Sequence, residues 1–304
     1  MISLVIPIYN ESILISRLFE RVKTAMDKIG EDYEVVFVDD GSTDGSAQEL
    51  NACHIADQRF KVLSLSRNFG HQAAYTAGLT YAKGDYIAMM DGDLQDPPEL
   101  LTVMYDLLKK EAAEIVYGER TERNEVSSRK VPTGIFHSIY RYLSRLEHIR
   151  QVGNFSIMTK NAVAALLSLQ EKNRYLPGLR AFIGFKQASV SYSRPEREAG
   201  ESKMTSRKLV SLALDAIFSF SNLPVKICLY SGLVGILLIF LAVVYILIGK
   251  ITGLAPLGWS SIILSIYFIG SVQLLSIGIL GEYVYRIYKE TQNRPLFFVR
   301  HYTN

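Results

Sequence analysis

The chain carries no charged residue between Ile227 and Ile248, and none again between Ile251 and Gly281. No other feature restricts so sharply what the chain can fold into. Each run accommodates an uncharged helix of roughly 20 residues, enough to cross about 30 Å of hydrocarbon. A buried core helix is the alternative, and uncharged stretches of this length argue against it. Two transmembrane helices are expected, over about 227–248 and 259–281, with Trp259 as an interfacial anchor. Arg207, Lys208 and Lys226 precede the first span, Arg286, Lys289, Arg294 and Arg300 follow the second, and only Lys250 lies between. Positive flanks mark the cytoplasmic side, so both termini are expected there. The opening residues MISLVIPIYNE lack a basic region and a long apolar run, so no secretion signal is expected. Ser206–Phe220 aligns Leu209, Leu212, Ala213, Ile217 and Phe220 on one face. That pattern suits a helix lying in the membrane interface, or a core helix of the soluble portion.

A formal charge of +3 is too small to imply nucleic acid. The basic flanks suit lipid headgroups instead. Cys53 and Cys228, one in each kind of environment, suggest neither a disulfide framework nor a metal site.

The first 120 residues alternate strand and helix patterns. Strands are expected at Ser3–Tyr9, Glu34–Val38, Phe60–Leu65, Tyr86–Met90 and Ile115–Tyr117. Ser12–Ile29 sets Leu14, Leu18, Val22, Met26 and Ile29 on one helical face. Phe69–Ala82 is helix-compatible, and Pro97-Pro98-Glu99 opens a helix through Lys110. The alternation predicts an α/β fold with a parallel, helix-covered sheet. Ligands of such sheets bind at the carboxyl ends of strands. Pro7–Glu11, Asp39-Asp40 and Asp91–Asp93 all fall at such ends and should converge on one crevice. Residues 121–205 are less regular, and no internal repeat is visible.

Asp91 and Asp93 stand two apart behind a strand, a spacing that in extended backbone aims both carboxylates one way. Two adjacent like charges call for a proton or a cation. A hard divalent ion, Mg²⁺ or Mn²⁺, suits oxygen donors and bridges to phosphates, and Gln95 could add an oxygen. A lone DxD is weak evidence; its position behind a fourth βα strand beside two other acidic strand ends strengthens it. Neither G-x-x-x-x-G-K-[ST] nor G-x-G-x-x-G after a strand occurs, so a glycine cradle for phosphates is excluded.

Pro7-Ile8-Tyr9-Asn10-Glu11, Val38-Asp39-Asp40-Gly41-Ser42-Thr43-Asp44, Ser66–His71, Asp91–Glu99, Tyr117-Gly118-Glu119-Arg120, Arg197–Lys203 and the two spans follow in this order. The combination resembles the polyprenyl-phosphate glycosyltransferases of glycosyltransferase family 2, of the dolichol-phosphate mannose synthase and bactoprenol glucosyltransferase type. That resemblance implies a GT-A (Rossmann-like) domain over 1–205, an interface helix at 206–225, two spans within 226–283 and a cytoplasmic tail at 284–304. It implies an integral protein of the bacterial inner membrane that moves one sugar, with inversion, from a nucleotide sugar to polyprenyl (undecaprenyl) phosphate. The product would be a lipid-linked sugar for glycan or O-antigen modification. UDP-glucose is the expected donor, ahead of GDP-mannose or an amino-sugar nucleotide. Pro7, Tyr9 and Glu11 would border the nucleotide, Asp40 would bond the base with Asp39 nearby, and Arg67 and Lys203 would line the nucleotide-sugar pocket. Asp91, Asp93 and Gln95 would hold the metal. Arg120, Arg129 and Lys130 would meet the acceptor phosphate. A homo-oligomer is expected.

One departure matters. The family commonly carries an aspartate, proposed as a base, in a Gly-Asp-Phe stretch; here the residues are Gly153-Asn154-Phe155. A phosphate monoester has a second pKa of about 6 and is largely anionic near neutrality. It needs positioning more than deprotonation. Asn154 is therefore expected to orient the acceptor or touch the sugar. His71, opening a helix, is expected to cap or pack. A processive polysaccharide synthase is disfavoured, because no Q-x-x-R-W motif is present and Trp259 is the sole tryptophan. A non-catalytic membrane scaffold is disfavoured by the intact acidic strand ends.

Overall fold

The computed structural model describes residues 1–120, 152–193 except 173, 258–303 and scattered positions from 228 to 248. Arg129, Lys130, Lys203 and the Ser206–Phe220 helix lie outside the described residues. The chain divides into two compact units. One contains residues 1–120, 152–193 and 294–303, and the other contains 258–293.

The first unit is built on eight strands: β1 Ile2–Ile8, β2 Tyr33–Asp39, β3 Phe60–Leu65, β4 Tyr86–Met89, β5 Ile115–Arg120, β6 Val152–Thr159, β7 Gln187–Tyr192 and β8 Val299–Tyr302. They form one sheet in the order β7-β5-β6-β4-β1-β2-β3-β8. β1 and β2 are buried along their whole length, as expected of near-continuous apolar strands covered on both faces. The helices are α1 Ser12–Ile29, α2 Ser46–Ala56, α3 His71–Tyr81, α4 Leu100–Lys110, α5 Lys160–Ser168 and α6 Leu176–Phe182. α1 buries Leu14, Leu18, Val22 and Met26, the face its spacing predicts, and ends at Gly30 in the left-handed conformation.

The sheet is mixed rather than parallel. β1 pairs in parallel with β2 and β4, as β2 does with β3. β6 is antiparallel to both neighbours and separates β4 from β5, and β8 is antiparallel to β3. Neither insertion is visible in the alternation of the first 120 residues, because both strands arrive from later in the chain. α2 is also new. It buries only Leu50 and Cys53 among its apolar residues, too few to produce a periodic signal. The stretch 284–304, read from sequence as a tail, holds the end of a helix and the edge strand β8.

In the second unit, α7 runs from Trp259 to Thr291. Among the described residues, Ser265–Thr291 is the one segment long and apolar enough to cross a membrane. Ile266, Tyr267, Leu274, Ile277 and Leu280 are exposed along it. Arg286 and Glu282 pair at 2.8 Å near its C-terminal end. The described positions from 228 to 248 are helical.

Candidate active site

The loops after β1 and β2 are stitched to each other by side chains. Asn10, at φ 54°, donates its N–H to Ser42 Oγ at 3.1 Å, and its Oδ1 accepts from Thr43 N–H at 2.8 Å. Ser46 Oγ accepts from Glu11 N–H, while Asp44 accepts from Ser12 N–H and Ser46 N–H. Much of the motif around Asp44 is thus occupied in holding two turns together. Asp39 accepts from Ser42 N–H at 2.9 Å. Asp40 is buried, and its two oxygens accept from Phe69 and Gly70 N–H at 2.8 and 2.9 Å. Both oxygens are therefore occupied by the loop that follows β3. Burial raises the Asp40 pKa, against the lowering effect of those two amides.

A third loop joins through glycine. Gly41, at φ 69°, lies so close to the Arg67-Asn68 backbone that a Cβ would stand 2.5 Å from Arg67 C. Arg67 itself is exposed, with its guanidinium 4.8 Å from the Phe69 ring. The acidic turn after β4 abuts the end of β1, since a Cβ on Gly92 would lie 3.1 Å from Pro7 O. Tyr9 is exposed there, and Glu11 is half-buried. The predicted strand ends therefore meet.

Asp91 and Asp93 do not owe their placement to a pleat. β4 stops at Met89, Gly92 and Asp93 are in a turn, and Leu94 adopts φ 58°. Asp91 Oδ1 accepts from Tyr75 OH at 2.6 Å and lies 3.2 Å from His71 Nε2. Its Oδ2 carries no hydrogen bond among the described residues. Burial alone would raise this carboxyl, but His71, Tyr75 and Arg120 outweigh it and hold Asp91 below the usual carboxylate range. Burial in turn opposes a charged His71, and Asp91, Asp93 and Asp40 together raise its pKa. His71 thus reports the acidic strand ends gathering around one imidazole, a role beyond capping or packing. Asp93 is 9% exposed and accepts from Gln95 N–H at 3.1 Å.

These donors fit a hard divalent ion that takes few protein ligands. Asp91 has one oxygen fixed by a phenol and an imidazole and the other available, and Asp93 and Gln95 are the oxygen-bearing residues that follow it in the same turn. Among the described residues no three His, Cys, Asp or Glu side chains form a complete metal cage. An ion held here would draw most of its coordination from water and phosphate, the habit of Mg²⁺ and Mn²⁺.

The other end of the crevice is organised around Asp96. This carboxylate is 0% exposed, accepts from Tyr192 OH at 2.5 Å and lies 3.6 Å from Arg120 Nη2. Arg120 Nε in turn donates to Tyr192 OH at 3.2 Å. Arg120, at the end of β5, is therefore held in place by a buried acid and a phenol, while remaining partly exposed. Its guanidinium lies over Gly153, where a Cβ would sit 2.7 Å from Nη2. Asn154 is next on β6, with a buried Oδ1 that has no hydrogen-bond partner among the described residues. The sequence alone did not single out Tyr75 or Tyr192. Tyr192 lies 96 positions beyond Asp96.

Comparison with known proteins agrees with this geometry. A model of "Glycosyl transferase family 2" matches residues 3–167. An uncharacterized glycosyltransferase, YkcC of Bacillus subtilis (strain 168), is 39% identical over 98% of this chain and 93% of its own. The bactoprenol glucosyl transferase of Shigella phage SfII is 35% identical over 98% of this chain and 97% of its own. Glucosyl-3-phosphoglycerate synthase from Mycobacterium tuberculosis, solved with Mn²⁺, UDP-glucose and phosphoglyceric acid, superposes with a TM-score of 0.50 at 18% identity. That alignment covers 72% of this chain and 77% of the synthase, and it shows a shared GT-A-like fold. Acidic turns at the strand ends, an arginine fixed across the sheet and relatives matched along nearly the whole chain together make this protein a glycosyltransferase that belongs to glycosyl transferase family 2.

Proposed function

We propose that this glycosyltransferase transfers a single sugar, glucose from UDP-glucose, to polyprenyl (undecaprenyl) phosphate at the cytoplasmic face of a bacterial inner membrane. The observation that carries this reading is the pairing, in one crevice, of an acidic turn with an available carboxylate oxygen and a fixed, partly exposed Arg120. One end suits a metal-bound diphosphate and the other a phosphate monoester. The full-length likeness to a bactoprenol glucosyl transferase supports the acceptor and the sugar.

Asp91 and Asp93, with Gln95, would hold Mg²⁺ or Mn²⁺, which when bound offsets the charge of the departing nucleoside diphosphate. Tyr75 and His71 fix Asp91 in its charged form. Pro7, Tyr9, Glu11, Asp39 and Arg67 border the nucleotide, and Lys203 is assigned to the nucleotide-sugar pocket. Asp40 serves this pocket through the backbone of Phe69 and Gly70. Arg120, aided by Arg129 and Lys130, receives the acceptor phosphate and offsets its repulsion from the leaving group. The phosphate oxygen attacks the anomeric carbon as the nucleoside diphosphate departs from the opposite face, giving inversion.

The membrane arrangement has support from topology. β7 ends at Tyr192 and β8 begins at Val299, and both belong to one sheet. A chain that leaves a sheet and returns to it on the same side of a bilayer crosses an even number of times. A span within Ser265–Thr291 would then call for a second, and the uncharged run 227–248 is the segment proposed for it. The interface helix over 206–225 would keep the crevice near the lipid.

Membranes containing the protein, incubated with a panel of labelled nucleotide sugars and undecaprenyl phosphate, should form a lipid-phosphate-linked hexose with UDP-glucose. Absence of product with every donor would overturn the reading. Tyr75→Phe should weaken Mn²⁺ binding in a direct titration by roughly tenfold to a hundredfold, the usual effect of removing a hydrogen bond behind a metal ligand. An unchanged Mn²⁺ affinity would remove Tyr75 from the site. Asn154→Asp should keep turnover, because the acceptor needs positioning more than deprotonation, while raising the KM for the acceptor several-fold. Complete loss of turnover with intact donor binding would contradict this role for Asn154.

A further inference from the structure

β8 does more than cover an edge. Its pairing with β3 uses Leu63, Ser64 and Leu65, with a register shift between Ser64 and Leu65. Phe297, Val299 and Tyr302 pack against the buried core, which is what holds an edge strand in place. Two further residues reach past the strand they cover. Arg300 Nη2 donates to Ser66 O at 2.8 Å, and Ser66 N–H donates to Phe298 O at 2.8 Å. The Phe298 ring lies 6.1 Å from the Phe69 ring, tilted by 49°, a spacing at which aromatic pairs attract.

These contacts fall on Ser66–Gly70, the loop after β3. The candidate site grips the same loop from its other side. Asp40 accepts from Phe69 and Gly70 N–H, and Gly41 leaves no room for a Cβ against the Arg67 backbone. The Arg67 guanidinium rests 4.8 Å from the Phe69 ring. Arg67, Phe69 and Phe298 thus form a row in which each side chain backs the one before it. Phe298 is 55% exposed and alternates with the core-packed Phe297 and Val299. Burial therefore does not account for where its ring lies; contact with Phe69 does.

We propose that Phe298 is a positioning residue for the donor: through Phe69 it holds Arg67 against the nucleotide, while Arg300 fixes the backbone of that loop at Ser66. The strand that closes the sheet thereby sets donor affinity. An exposed arginine samples many rotamers, and an aromatic face that restrains it reduces the entropy lost when a ligand is bound. A second ring behind the first makes that platform rigid. The proposal rests on the placement of the nucleotide beside Arg67 in the reading above.

The test titrates the full-length protein in nanodiscs with UDP in the presence of Mn²⁺ by calorimetry, and follows turnover with UDP-glucose in parallel. Phe298→Ala should weaken UDP binding and raise the KM for UDP-glucose by between about twofold and tenfold, the size of one aromatic contact. Its kcat and its KM for polyprenyl phosphate should not change. Phe298→Tyr should restore wild-type values. Phe298→Leu, apolar but without the ring, should show most of the loss and serves where the alanine variant does not fold. Arg67→Ala combined with Phe298→Ala should bind UDP no more weakly than Arg67→Ala alone, because Phe298 acts through that guanidinium. Thr303→Val removes the acceptor for Val62 N–H at the other end of β8. It should lower the thermal midpoint and leave UDP affinity intact. Wild-type UDP affinity in folded Phe298→Ala or Phe298→Leu protein overturns the proposal. So do additive losses in the double variant, and so does a Thr303→Val protein that loses as much affinity as Phe298→Ala. A wild-type protein that neither binds UDP nor transfers glucose overturns the functional reading, and this inference with it.

Discussion

Asp91→Asn is expected to reduce glycolipid formation by roughly 10²–10⁴-fold while leaving the protein folded. The side chain keeps its size, and its amide oxygen can still accept from Tyr75. What is lost is one full negative charge at the atom left available for a cation. A bound divalent ion contributes several kcal/mol of charge stabilisation to a departing diphosphate, and each 1.4 kcal/mol is a factor of ten in rate. The measurement pairs product formation with Mn²⁺ binding followed by electron paramagnetic resonance, so that weaker binding and slower turnover are seen separately. Asp91→Asn protein with wild-type Mn²⁺ affinity would remove this carboxylate from the metal site. The same experiment on Asp93→Ala should abolish metal-dependent transfer, because Asp93 also organises the turn through Gln95 N–H.

The second large effect concerns stability. Gly41→Ala forces a Cβ to within 2.5 Å of the Arg67 carbonyl carbon at a position where φ is 69°. Left-handed backbone costs a non-glycine residue roughly 1–2 kcal/mol, and a main-chain clash that must be relieved by moving two loops adds about 1–3 kcal/mol. Gly30→Ala provides the comparison, since φ there is 74° but nothing lies within 4 Å of the added carbon. In chemical denaturation, Gly41→Ala should lose about 2–5 kcal/mol and Gly30→Ala about 1–2 kcal/mol. The difference isolates the contact between the β2–α2 and β3–α3 loops. Equal losses in the two variants would show that those loops do not press on each other.

What could be read from sequence was local. The apolar runs at β1 and β2, the face of α1 and the acidic composition of the strand ends are written in consecutive residues. The pairing partners are not. The pattern in Val152–Thr159 can suggest a strand, but nothing in it says that the strand enters between β4 and β5 in the opposite direction. The same holds for chemistry. The cluster Asp91–Asp96 reads in sequence as one acidic group, yet the fold gives its members different partners. Asp91 is fixed by α3, and Asp96 turns away to hold Arg120 through Tyr192. The motif around Asp40 likewise looks uniformly functional in sequence, whereas the structure assigns Asp44, Ser42 and Ser46 to joining two turns. His71 could be predicted only as a helix-start residue, because its carboxylate neighbours come from two other strand ends.

The strand β8 also affects how the protein is made. Thr303 and Val62 are bonded across a separation of 241 residues. The outer edge of β3 therefore stays bare while everything between them is synthesised. An uncovered edge is a template for pairing with other chains, and contacts this distant form late. During synthesis at roughly 5–20 residues per second, the nascent chain would carry that open edge for many seconds. Arg300, which donates to Ser66 O at 2.8 Å, and Thr303, which accepts from Val62 N–H at 2.7 Å, then act as a final clasp. On this view the sheet is sealed from its far end, after the long excursion is complete, and a premature stop before residue 299 would leave a domain with its core in place and its edge unguarded.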